Sequence, residues 1–111
     1  MAKVGRFVTD PKAGAYCRIA LESGEKIVVN HDKGSLTAGT LSVEVSKFLG
    51  LGSERVFSCD LASAAGRSVL ARLTSATGEA TPLAALVHYV EQCRSVAEVK
   101  DRCASLLERA P

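Results

Sequence analysis

The sequence predicts an α+β fold in which a β-rich half is followed by a helical half. Residues 1–61 carry apolar side chains at alternate positions between glycine-containing turns, a pattern typical of half-buried antiparallel strands. Residues 62–111 carry apolar side chains three and four positions apart, a pattern typical of amphipathic helices. A chain of 111 residues is long enough to bury one core, so we expect residues 1–111 to form a single domain.

Strands are predicted in the first half, where short alternating segments are bounded by turn-forming residues. They are residues 3–9, 15–21, 27–31, 39–46 and 55–61. Residues 40–49 also fit a helical stripe, but β-branched side chains and flanking glycines favour a strand there. About five short, closely spaced antiparallel strands are typical of a curled sheet or a small barrel, SH3-like or OB-like in outline, because closure removes exposed strand edges.

The turn at residues 22–24 fixes the register between the second and third strands. A three-residue turn ending in glycine sets Ile19 opposite Ile27, so that apolar side chains share one side of the sheet. A two-residue turn would mix apolar and polar side chains across the pair. The three-residue turn also places His31 on the core side, opposite Ala15, at the end of the hairpin.

Three helices are predicted in the second half, over residues 63–76, after Thr81 and after Ser95. Thr81 is an N-cap residue followed by proline at the first helical position, and Ser95 forms a capping box with Glu98. The side chains expected to face the core are Ala65, Val69, Leu70, Leu73, Ala76, Leu83, Leu86, Val87, Val90, Val96, Val99, Cys103, Leu106 and Leu107. Because the link between the last two helices is short, we expect them to form an antiparallel hairpin.

The charge and hydropathy of the chain limit its partners. Fourteen Lys and Arg residues oppose twelve Asp and Glu residues, a formal net charge of +2, which is too balanced to indicate a nucleic-acid-binding protein by itself. The first ten residues, MAKVGRFVTD, lack the apolar region of a signal peptide, and no apolar run is long enough to cross a bilayer. We therefore expect a cytoplasmic protein with reduced thiols and no membrane partner.

The cysteines are expected to be free and buried. They are Cys17, Cys59, Cys93 and Cys103, and none forms the closely spaced pair typical of a structural zinc site, so no metal or cofactor is expected. Cys59 with His31 as a base would suit a cysteine-dependent enzyme, but Cys59 shares strand parity with core residues, and a buried thiol is the favoured interpretation. No catalytic residue is assigned. His31, Asp32 and Cys59 are the side chains expected to line a ligand pocket, if one lies between sheet and helices.

A nucleic-acid surface is an alternative interpretation of the basic N-terminal strands. The candidate contacts are Arg6, Lys12, Tyr16 and Arg18. Tyr16 and Arg18 have the same strand parity and face outward, so that they combine a ring for stacking with a charge for phosphate. The sequence holds only three Phe, two Tyr and no Trp, however, and an ordinary solvated sheet face is the favoured interpretation.

Function is predicted at the level of a class. We expect a non-catalytic binding or protein-interaction module that associates with itself as a homo-oligomer, with a homodimer as the simplest form. Ala20 and Val28 support this expectation, because they are apolar residues at outward-facing strand positions, and Tyr89 lies at the flank of its helix stripe. Nucleic-acid binding is the alternative, and a cysteine-dependent enzyme is the second alternative.

Overall fold

The computed structural model describes residues 2–10, 14–32, 39–46 and 52–108. The strands are β1 (Lys3–Asp10), β2 (Gly14–Ala20), β3 (Lys26–Asp32), β4 (Thr40–Ser46) and β5 (Ser53–Asp60), and the helices are α1 (Ala64–Thr77), α2 (Pro82–Val90) and α3 (Val96–Glu108). The strands form one antiparallel sheet in the order β1-β2-β3-β4-β5. The predicted α+β class is confirmed. Residues 40–46 form a strand, and residues 47–49 lie outside the described residues.

The sheet is open, so of the two predicted forms, a curled sheet or a small barrel, the barrel is wrong, and the SH3-like or OB-like outline is not confirmed. In the described part of the chain β1 and β5 are the two edges and do not pair with each other. The three helices follow the sheet and cover its apolar side, so that a core forms between two layers without closure. Both edges are irregular, with a register shift between Val4 and Phe7 on β1 and another on β5 after Phe57 pairs with Val43. Such bulges twist a strand edge and discourage further pairing.

The hairpin register predicted from the sequence is confirmed. Ile19 pairs with Ile27, Cys17 with Val29, and Ala15 with His31. Gly24 ends the three-residue turn with φ 92°, a left-handed conformation that glycine adopts without strain. The alternation of side chains along this hairpin therefore defines two sides of the sheet, a core side facing the helices and an outer side.

The core lies between the core side of the sheet and the helices. Its fully buried members include Ile19, Ile27, Val29, Leu41, Val43, Leu73, Leu86, Val90, Val99 and Cys103. Helix α2 packs against β2 and β3, whereas α1 and α3 pack against β5. The most extensive contact between helices is that of α1 with α2, so the expected antiparallel pairing of α2 with α3 is not the main contact between helices.

The predicted helix starts are confirmed. Ser63 Oγ accepts a hydrogen bond from the Gly66 amide at 2.9 Å, and Thr81 Oγ1 accepts one from the Ala84 amide at 3.4 Å. Ser95 Oγ likewise accepts from the third residue of its helix, the Glu98 amide, at 3.4 Å. The Glu98 side chain accepts from the amide of the residue before Ser95, one position earlier than a capping box requires.

Three residues predicted to face the core are exposed. Ala65 and Ala76 point outward because the buried side of α1 runs through Gly66, Val69 and Leu73 instead. A Cβ at Gly66 would overlap the Asp60 carbonyl oxygen, so the glycine lets the helix backbone approach the end of β5 closely. Leu107 is 49% exposed because its neighbour Leu106 occupies the core position of α3.

Candidate functional site

The three residues predicted to line a pocket are kept apart by the strand register. His31 is buried on the core side of β3 and pairs with Leu41 of β4, which in turn pairs with Cys59 of β5. Two strand spacings, about 10 Å, therefore separate the backbones of His31 and Cys59, with Leu41 between them. Asp32 pairs with Thr40 and lies on the outer side. The structure does not assemble these side chains around a common space.

Burial keeps the thiols protonated. Desolvation, and secondarily the charge of Asp60, raises the pKa of Cys59 from 9.0 to about 11. Desolvation, followed by the effect of the neighbouring Cys93 thiol, raises the pKa of Cys103 to about 12. All four cysteines are free and buried, and no group of three or more His, Cys, Asp or Glu residues in the described ranges could hold a metal ion. A nucleophilic cysteine requires the opposite shift, towards a lower pKa.

The predicted nucleic-acid contacts are partly brought together on the outer side of the sheet. The guanidinium carbon of Arg18 lies 5.3 Å from the centre of the Tyr16 ring, within the range of a cation–π contact. Arg6 is exposed in the irregular part of β1. Lys12 lies outside the described residues. Tyr16 and Arg18 therefore form a pair, and the structure adds two lysines that the sequence did not indicate as contacts.

These lysines border a depression on the outer side of the sheet, which we call the basic cavity. Lys3 of β1 and Lys26 of β3 pair with Ala20 of β2 from opposite sides, and Arg18 lies one outward-facing position further along β2. The cavity has a volume of about 490 Å³, and Val28 contributes to its lining beside these residues. Among the described residues, no carboxylate lines the cavity and none forms an ion pair with its three cations.

The position of Lys26 opposite Ala20 could have been predicted from the sequence. The register that sets Ile19 opposite Ile27 also sets Ala20 opposite Lys26. The position of Lys3 opposite Ala20 could not have been predicted. The register shift between β1 and β2 changes which β1 residue pairs with Ala20, and no sequence pattern locates that shift.

A second uncovered surface lies on the core side of β1. Phe7 pairs with the fully buried Cys17, so its ring points to the same side of the sheet as the core, yet it is 50% exposed. Val4, on the same side, is 39% exposed. The helices pack against β2, β3 and β5 and leave these two side chains uncovered. We call Val4 and Phe7 the β1 core-side surface.

A groove runs between α1 and α3. Two adjoining cavities of about 620 and 320 Å³ share Ser68, Arg72 and Leu106 in their lining. The Arg72 guanidinium donates hydrogen bonds to the Leu106 carbonyl oxygen and, at 3.2 Å, to Ser68 Oγ. The cation in this groove is thus used to join the two helices.

The comparisons with known proteins assign no family to this chain. Models of protein families, curated proteins and solved structures were compared with it, and none matches. None of the described helices is long and apolar enough to cross a membrane.

Proposed function

We propose that this protein is a non-catalytic binding module that forms a homodimer through the β1 core-side surface. The observation that carries the proposal is the position of Phe7, an aromatic ring on the core side of the sheet that is 50% exposed. Large apolar side chains contribute about 1.5–3 kcal/mol each when they are removed from water. Phe7 and Val4 are partly exposed to solvent, so a partner surface that covered them would add stabilisation.

A second copy of the chain is the partner that fits this surface. Two-fold symmetry places the same patch on both subunits, so each copy supplies the apolar side chains that the other needs. The bulge on β1 and the basic residues Lys3 and Arg6 disfavour direct pairing of strand backbones. We therefore expect the copies to meet through packed side chains. The patch is small, and association costs at least about 4 kcal/mol, so the dimer should be weak and concentration-dependent.

Two features support a non-catalytic role. Burial raises the pKa of the Cys59 thiol, and Leu41 lies between Cys59 and the histidine that would act as its base.

The proposal includes a cytoplasmic location. The four free cysteines fit it, because thiols stay reduced in that compartment.

Sedimentation velocity over a wide range of concentrations tests the proposal, with Phe7→Glu as the disrupting variant. We expect the native protein to shift from monomer to dimer as its concentration rises, and Phe7→Glu to remain monomeric, because a carboxylate cannot be buried in an apolar contact. Leu107→Glu is a matched control, since Leu107 is 49% exposed on α3, far along the chain from β1. It should dimerise like the native protein.

Two results would overturn the proposal. One is a native protein that stays monomeric at every concentration. The other is a loss of dimer in Leu107→Glu that equals the loss in Phe7→Glu, because association would then not depend on β1.

A further inference from the structure

The basic cavity combines an apolar floor with three cations, none of which forms an ion pair with a described residue. Lys3 and Lys26 flank Ala20 across neighbouring strands, so their backbones lie about 10 Å apart. Arg18 and Val28 pair with each other and lie next to Ala20 along the outer side. This arrangement favours a ligand with negative charges around an apolar or planar body.

Carboxylates in the surroundings are engaged elsewhere. Glu44, across the sheet from Val28, lies 3.5 Å from the guanidinium of Arg55. At the β2–β3 turn, Glu22 lies 3.8 Å from Arg94, and Glu25 accepts a hydrogen bond from the first amide of α3 at 3.0 Å. The cations of the cavity therefore keep their charge available to a ligand.

An aromatic ring continues the surface along β2. Tyr16 lies on the outer side beside Arg18, and its ring contacts the Arg18 guanidinium. Asp10 and Asp32 lie beyond Tyr16, where their charges repel phosphate, so the attractive part of the surface is short. A planar base can stack on the Tyr16–Arg18 pair while phosphates contact the cations.

We propose that this surface binds single-stranded nucleic acid, with Lys3, Arg18 and Lys26 contacting phosphates and Tyr16 contacting a base. An acidic peptide that adds a strand to the sheet fits less well, because such pairing requires a regular strand edge and β1 carries a bulge. A ring beside the cations also has no role in binding carboxylates alone. The proposal does not depend on dimer formation, since its contact residues have outward-facing strand positions, whereas Phe7 faces the core side and does not line the cavity.

Fluorescence anisotropy with labelled single strands of deoxythymidine or uridine, about 16 nucleotides long, tests the proposal. Neutralising about three phosphates predicts a roughly 20-fold loss of affinity between about 50 and 200 mM salt. Lys3→Glu combined with Lys26→Glu should weaken binding at least tenfold at the lower salt concentration. Circular dichroism checks that the variant is folded, and the single variant Arg18→Gln provides a second, milder test.

The matched control is Arg67→Glu combined with Lys100→Glu. It lowers the net charge by the same amount, and both residues are exposed on α1 and α3. Because Lys100 also lies 3.6 Å from Glu54 of β5, circular dichroism checks that this variant is folded as well. Its affinity should stay within about twofold of the native value if position matters more than net charge. Tyr16→Ala should weaken binding about tenfold, and Tyr16→Phe should retain it, because stacking requires the ring and not the hydroxyl.

Four results would overturn the proposal. They are no binding at low salt, equal losses in the two charge-reversal variants, duplex bound more tightly than single strands, and inorganic polyphosphate bound as tightly with no effect of Tyr16→Ala. The second and fourth would indicate a general attraction for polyanions.

Discussion

The two edges of the sheet differ in how well they are covered. Phe7 on β1 and Phe57 on β5 lie on the core side in one cross-strand row, joined through Cys17, Val29 and Val43. Phe57 is 4% exposed and Phe7 is 50% exposed. Both strands are edges and both carry a bulge, so the strands themselves do not explain the difference.

The helices explain it. Gly66 allows the backbone of α1 to approach the end of β5, and Lys100 of α3 lies 3.6 Å from Glu54 of β5. β1 is held chiefly by pairing with β2, to which the Cys17 thiol adds a hydrogen bond to the Gly5 carbonyl oxygen at 3.4 Å. The β5 edge is thus part of the folded core, and the β1 edge is a surface available for binding.

The largest expected difference is between the two phenylalanines. Phe57→Ala should lower the free energy of unfolding by about 3–5 kcal/mol, because it leaves a cavity in the core. Phe7→Ala should lower it by less than about 1 kcal/mol, because the ring is already half in water. Urea unfolding of both variants at low protein concentration measures the difference. Equal losses would show that β1 is covered as well as β5.

A glycine pair tests the same comparison through the backbone. A Cβ at Gly66 would overlap the Asp60 carbonyl oxygen, so Gly66→Ala must push α1 away from β5 and should cost about 1–3 kcal/mol or more in free energy of unfolding. A Cβ at Gly5 would lie 3.0 Å from the Arg18 carbonyl oxygen, a contact that a shift of a few tenths of an ångström relieves, and β1 is an edge strand that pairs with β2 alone among the described strands. Gly5→Ala should therefore cost less than about 1 kcal/mol. If urea unfolding showed a larger loss of stability for Gly5→Ala than for Gly66→Ala, the conclusion that the β1 edge is adaptable and the β5 edge rigid would be contradicted.

Local rules predicted the elements well. Alternation located the strands, the Glu22–Gly24 turn fixed the hairpin register, and Thr81 and Ser95 marked two helix starts. Each of these signals acts within a few residues, so each is readable in one sequence.

The coverage of the edges could not be predicted in this way. Phe7 and Phe57 are both phenylalanines within predicted strands, and the difference in their exposure depends on where helices far along the chain dock. Gly66 permits the close approach of α1 to β5, yet the sequence alone indicates only that a glycine weakens a helix there. Only part of the candidate binding surface could be predicted from the sequence. The outward orientation of Arg18 follows from strand parity, whereas the position of Lys3 depends on a bulge that the sequence does not locate.

The smallest expected difference concerns the thiols near the two edges. Cys17 pairs with Phe7 beneath the uncovered edge, whereas Cys59 lies on the covered strand β5. Because weakly covered regions open more often, Cys17 should be alkylated several-fold faster than Cys59 in the native protein at about pH 8.5. Iodoacetamide labelling followed by peptide mass spectrometry measures both rates. Faster labelling of Cys59 would place the weaker edge at β5.

The pH dependence of stability provides a control for this labelling. Burial raises the pKa of Cys59 from 9.0 to about 11, so the folded state holds its proton to a higher pH than the unfolded chain does. The stabilisation from the protonated thiol is therefore complete below about pH 9 and is lost as the pH rises through about 11. The urea midpoint should be constant between about pH 7 and 8.5, where the labelling is done, and should fall above about pH 9. In Cys59→Ala the fall should be smaller than in the native protein, and an unchanged fall would exclude this thiol as its source.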